Sequence, residues 1–198
     1  MIIHRGSFTN LRLAPFAIAM ALLACGKNNP AATENVLCPG ESGVGLRVEG
    51  RAAPVDVCIS DQDVTVLLTS SSHYDVLAQS QLDDKTVVQL HMVFTQRPDA
   101  PVDLRLVNTV TEATSDPGAV YVSYEEIPDG GTPIMSSVIL GGSFKLTFND
   151  DKVAAGTMSS VRFDMVNVNT GDPAGSRQIK EGFFSVAVDA PPATVSTR

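Results

Sequence analysis

The chain has no tryptophan, and aromatic residues make up only 6% of its 198 positions. Surfaces that stack sugars or bases are built on flat rings, so this scarcity counts against both. Basic residues are also few. Arg5 and Arg12 lie at the start, which leaves 12 of the 14 basic residues after Ala24, against 22 acidic ones. An acidic domain repels phosphate backbones, so nucleic acid is not an expected partner. No C-x-x-C pair, G-x-S-x-G elbow or twelve-residue calcium loop occurs, which removes the common zinc, hydrolase and EF-hand signatures. No apolar run is long enough to cross a bilayer as a helix. The longest, Leu13 to Ala24, has twelve residues, where a core about 30 Å thick needs about 20.

What is present is a composition that folds. Hydrophobic residues account for 43% and charged ones for 18%, the balance of a single globular domain with one core. Its leader is distinct. Residues 1–12 carry Arg5 and Arg12 and no acid, and the apolar run follows directly. A positive start, a short apolar stretch and a small-residue exit describe a secretory signal peptide. A cut before Cys25 would put Ala24 at −1 but Leu22 at −3, a poor fit to the A-x-A pattern.

The run Leu22-Leu23-Ala24-Cys25 instead resembles the lipobox of bacterial lipoproteins. The resemblance covers the leader and the first mature residue. It implies cleavage before Cys25, diacylglycerol on its sulfur and often a third acyl chain on the new amino terminus. The Leu at −2 departs from the commoner Ala or Ser. One chain binds a membrane only reversibly, whereas two or three anchor it stably. Gly26 follows where an Asp commonly retains such proteins at the inner membrane. The expected location is therefore the cell envelope, at the outer membrane if the host has one. The expected partners are the membrane, through the lipid anchor, and an envelope protein.

Three cysteines is an odd number for an exported chain. Lipidation of Cys25 leaves Cys38 and Cys58, and an oxidising compartment favours a disulfide between them. Residues 25–37 are small and polar and read as a tether, residues 38–190 as the domain, and residues 191–198 as a tail.

Within the domain the hydrophobic period is two. Val44, Leu46 and Val48 alternate with Gly45, Arg47 and Glu49. Similar runs are Val55 to Ile59, Val64 to Leu68, Val88 to Phe94, Phe144 to Phe148, Val161 to Met165 and Phe184 to Val188. Leu104 to Val107, Val120 to Tyr124 and Met135 to Leu140 are further candidates. Turn residues separate them at Asp116-Pro117-Gly118, Asp129-Gly130-Gly131, Asn149-Asp150-Asp151 and Gly171-Asp172-Pro173. A short helix or turn is expected near Ser80 to Lys85. This pattern predicts an all-β fold: one antiparallel β-sandwich, with a β-barrel as the alternative. Phe144 to Val168 reads as a hairpin, and Gly142-x-Phe144 is echoed by Gly182-x-Phe184.

Sites of chemistry are thin. Ser70-Ser71-Ser72-His73-Tyr74-Asp75 places serine, histidine and aspartate side by side, but a triad is assembled by the fold from separated positions. His73, Asp75 and His91 fall short of a zinc set. The acidic pairs Asp61/Asp63, Asp83/Asp84, Glu125/Glu126 and Asp150/Asp151 read as solvated turns. No catalytic residue, metal or cofactor is assigned, and the expectation is a non-enzymatic binding or structural module. A small-molecule or lipid carrier with a barrel cavity is the alternative, and a hydrolase comes third.

Overall fold

A computed structural model describes residues 37–38, 42–68, 73–95, 97–98, 100–149 and 153–188. The expected signal peptide, Cys25, the expected tether apart from Leu37, and the expected tail lie outside these residues. Among the described residues ten strands form: β1 (Gly43–Glu49), β2 (Val55–Ser60), β3 (Val64–Leu68), β4 (Tyr74–Asp83), β5 (Thr86–Phe94), β6 (Val102–Val107), β7 (Ala119–Pro128), β8 (Ile134–Asn149), β9 (Val153–Asn167) and β10 (Pro173–Ala187). One helix, α1 (Val110–Ser115), and a 3₁₀ turn at Asp61–Asp63 complete the described elements.

The strands join one sheet in the order β2-β1-β10-β9-β8-β6-β7-β5-β4-β3. The expected all-β, sandwich-like architecture is what forms, and the sheet is not closed into a barrel. Every strand pairing is antiparallel except β6 with β7. A parallel neighbour needs a crossover, and α1 supplies it. Its start is capped: the Thr109 hydroxyl accepts from the Glu112 N–H at 3.2 Å and donates to the Glu112 carboxylate at 3.0 Å.

A single sheet makes a two-layered core because its longest strands bend. The β8 register slips at Ser136/Val138, at Ile139/Gly141 and at Gly141/Ser143. Before these bulges β8 pairs with β7 (Glu125 with Met135), and after them with β6 (Leu104 with Phe144). Gly142 sits at φ +129°, and a Cβ there would lie 2.6 Å from the Val161 backbone, so only glycine lets β9 pass this closely. Ser160 on β9 also adopts positive φ (54°). The fold line thus runs across β8 and β9.

The inward face of every strand then meets one core. Tyr74, Val76, Leu90, Met92, Phe94, Val122, Phe144, Leu146, Phe163, Phe184 and Val186 are all buried. The glycine–phenylalanine echo has a structural meaning: Phe144 on β8 and Phe184 on β10 flank β9 on its core face, and their rings meet beside Gly156 at 5.5 Å between centroids. The β8–β9 hairpin forms as the sequence predicts.

Of the short helix or turn expected near Ser80 to Lys85, the turn is what forms. Those residues finish β4 and turn at Asp84–Lys85 into β5. The alternation of Tyr74, Val76 and Ala78 fades into polar residues after Ala78, but β5 supplies a full partner, pairing Gln79 with Gln89 and Ser80 with Val88. Tertiary pairing overrides a weak local pattern here.

Candidate functional site

Two clusters of ionisable side chains stand out, one inside the sandwich and one on its outer face. The inner cluster starts from an alternation in β7. Val120, Val122 and Tyr124 point into the core, and Glu126 follows in the same phase. Glu126 is only 5% exposed. A buried carboxylate needs partners, and three elements bring them. Arg177 on β10 forks onto it, with Nε 2.8 Å from Oε1 and Nη2 3.1 Å from Oε2. The Tyr124 hydroxyl donates to Oε1 at 3.1 Å. Arg51, between β1 and β2, places Nη1 3.4 Å from Oε1 and Nη2 3.5 Å from Asp83. The remaining Arg177 nitrogen donates to the carbonyls of Gly50 (2.9 Å) and Ser176 (3.0 Å).

Burial opposes ionisation of Glu126. The hydrogen bonds and charge of Arg177, with the charge of Arg51 and the Tyr124 hydroxyl, outweigh it and hold the carboxyl below its usual value. Burial, reinforced by the Glu126 charge, pushes the Tyr124 phenol up. Burial also raises the neighbouring Glu125. Both Glu126 oxygens are engaged and the group stays ionised, so the cluster offers no free acid or base. What it can do is clamp: it ties the β1–β2 turn and β10 to the middle of the sheet. The reading of Glu125/Glu126 as a solvated turn is therefore corrected, because the pair lies within β7 with Glu126 on the core face. The parity of Tyr124 and Glu126 is the signal that identifies it.

The outer cluster gathers residues the sequence singled out. His91 on β5 and Asp75 on β4 meet at 2.7 Å between Nε2 and Oδ1, both partly exposed. Tyr121 on β7 presents an edge to the imidazole, 5.7 Å between centroids. A carboxylate on one ring nitrogen orients the imidazole and leaves the other nitrogen for a second partner. The ladder sets Ser123 opposite His91, but no hydrogen bond joins their side chains, and a nucleophile–base pair requires one. His73 lies just before β4, while Ser70, Ser71 and Ser72 fall outside the described residues. Among the described residues no three His, Cys, Asp or Glu side chains form a metal-binding group. The pair Asp61/Asp63 lies on the 3₁₀ turn and Asp83/Asp84 at the β4–β5 turn, with Asp150/Asp151 outside the described residues.

Cys38 and Cys58 are joined by a disulfide, with Cα atoms 5.5 Å apart. The bond fastens the segment preceding β1 to β2. Cys25, the expected lipidation site, lies outside the described residues. No helix among the described residues is long and apolar enough to cross a membrane. No family model, curated protein or solved structure matches the chain.

Proposed function

We propose that this protein is a lipid-anchored component of the bacterial cell envelope, acting as a non-enzymatic binding or structural module. The observation that carries the reading is the sequence Leu22-Leu23-Ala24-Cys25, placed at the end of a charged and then apolar leader. Acylation of Cys25 would hold the domain at a membrane, at the outer one if the host has two, with residues 25–37 as the tether. The Cys38–Cys58 disulfide suits an oxidising compartment outside the cytoplasm. Parity supports it too, because acylation and one disulfide account for all three cysteines.

The packed interior favours a module over a carrier. Tyr124, Phe94, Phe144, Phe163, Phe184 and Met158 fill the space between the layers, each at most 2% exposed. A carrier of the barrel type keeps that space for its ligand. The Asp75–His91 pair lacks a bonded nucleophile, which weighs against a hydrolase. An envelope partner of the module would meet its outer faces or edges.

The test is detergent-phase partition of the protein made in a bacterium. The wild type is expected in the detergent phase and the Cys25→Ser variant in the aqueous phase. Partition of both forms into detergent would contradict the anchor.

A further inference from the structure

The two edges of the sheet are finished differently. At one edge, the inward side chains of β2, Val57 and Ile59, are buried as completely as those of any central strand. That strand also leans onto β4, where the Ser80 hydroxyl donates to the Cys58 carbonyl at 3.3 Å. At the other edge, β3 pairs only with β4. Its inward residues Val64 and Val66 are only partly covered, although Tyr74, Val76 and Ala78 beside them on β4 are fully buried. No described residue pairs with the outer side of β3. Leu67, on its outward face, is 57% exposed, the most of any large hydrophobic side chain among the described residues.

Exposed edges are normally blunted by a lysine, a proline or a bulge. The β3 sequence Val64-Thr65-Val66-Leu67-Leu68 has none of these: it is uncharged, lacks proline and pairs with β4 in unbroken register. That neutrality is notable in a chain of net charge −8.

We propose that β3 is a self-association edge, on which the β3 of a second copy pairs antiparallel to make a two-fold dimer with a continuous sheet. Three features argue for a second copy. First, β3 is the less covered of the two edge strands, and pairing of like edges about a two-fold axis is isologous, so it closes as a dimer instead of propagating into a filament. Second, a two-fold axis at Val66 sets Thr65 of one copy opposite Leu67 of the other. Asp63 then lies beyond the seam in both copies, and two acidic molecules meet without opposing like charges. Third, the pairing covers Val64 and Val66 from both sides with apolar residues of their own kind. The inference does not depend on the lipid anchor, although an anchor would raise the local concentration of copies.

Sedimentation equilibrium of the full chain in density-matched detergent, over a wide concentration range, tests it. The wild type should show a monomer–dimer equilibrium. Leu67→Lys places a charge on an already exposed position, so it should fold normally by circular dichroism and weaken the dimer by about tenfold or more, a blunting that natural edges use. Leu140→Lys, at an exposed position on β8 (46%), should leave the dimer intact. A wild type that stays monomeric throughout would overturn the proposal, as would a Leu67→Lys dimer as tight as the wild type. If the wild type is monomeric and removal of residues 189–198 creates a dimer, the edge belongs to the chain's own tail and the second copy is rejected.

Discussion

Replacing Glu126 with alanine removes the acceptor of the buried clamp and leaves its donors behind. The Arg177 fork and the Tyr124 hydroxyl lose three hydrogen bonds at once. Bonds to a charged group contribute about 1.5–3 kcal/mol each, and breaking a buried ion pair from one side costs about 3–5 kcal/mol. Arg177 keeps two carbonyl partners, and its side chain is 13% exposed, so some hydration is recoverable. The expected loss is therefore about 3 kcal/mol, near the lower end of that range. Urea unfolding followed by far-ultraviolet circular dichroism reads it, since the chain has no tryptophan to report by fluorescence. The double variant Glu126→Leu/Arg177→Met should recover at least about 2 kcal/mol relative to the sum of the single effects, because it leaves no half-pair in the core.

The same site sets a pH dependence. Folding lowers the Glu126 carboxyl, so the unfolded chain binds its proton more readily. The stabilisation is full above the ordinary glutamate range and is lost as pH falls through the folded value. Glu126→Gln should flatten the acid limb of the stability profile. A cost below about 1 kcal/mol for Glu126→Ala, a typical surface value, or an unchanged acid limb in Glu126→Gln, would refute the clamp.

Three further outcomes follow from the packing. Gly156→Ala would drive a Cβ into the Lys145 carbonyl and the Phe184 ring. It should cost about 3 kcal/mol, at the high end of overpacking, because the obstacle includes backbone; thermal melting checks it. Reducing the Cys38–Cys58 bond, which spans 20 residues, should cost about 3 kcal/mol by chain entropy. The melting temperature should accordingly fall in reductant, while a Cys38→Ser/Cys58→Ser variant should show no reductant effect. Thr109→Ala removes the α1 cap and should cost about 1 kcal/mol in urea unfolding.

How much of this was legible depends on the range of the interaction. Strands such as Val88 to Phe94 and Phe144 to Phe148 declare themselves because a half-buried strand imposes a period of two. The Thr109 cap on α1 is also written locally, but α1 has six residues, too few for a helical period to emerge. Glu126 could have been placed by its parity with Val122 and Tyr124. An acidic pair is ordinarily solvated, however, and its partner Arg177 lies 51 residues away, beyond any local pattern. The order of the sheet is equally non-local: β1 lies against β10, with Gly43 opposite Ser185. The disulfide needed no geometry, only compartment and parity. The β3 edge became visible only when the neighbours of Val64 and Val66 were known.

The placement of this domain in the cell rests on Cys25, and the mass of the mature amino terminus tests it most directly. Protein recovered from bacterial membranes should begin at Cys25 and carry the added mass of a diacylglyceryl group, with or without a third acyl chain. An unmodified terminus, or a mature chain starting at any other residue, would contradict the account.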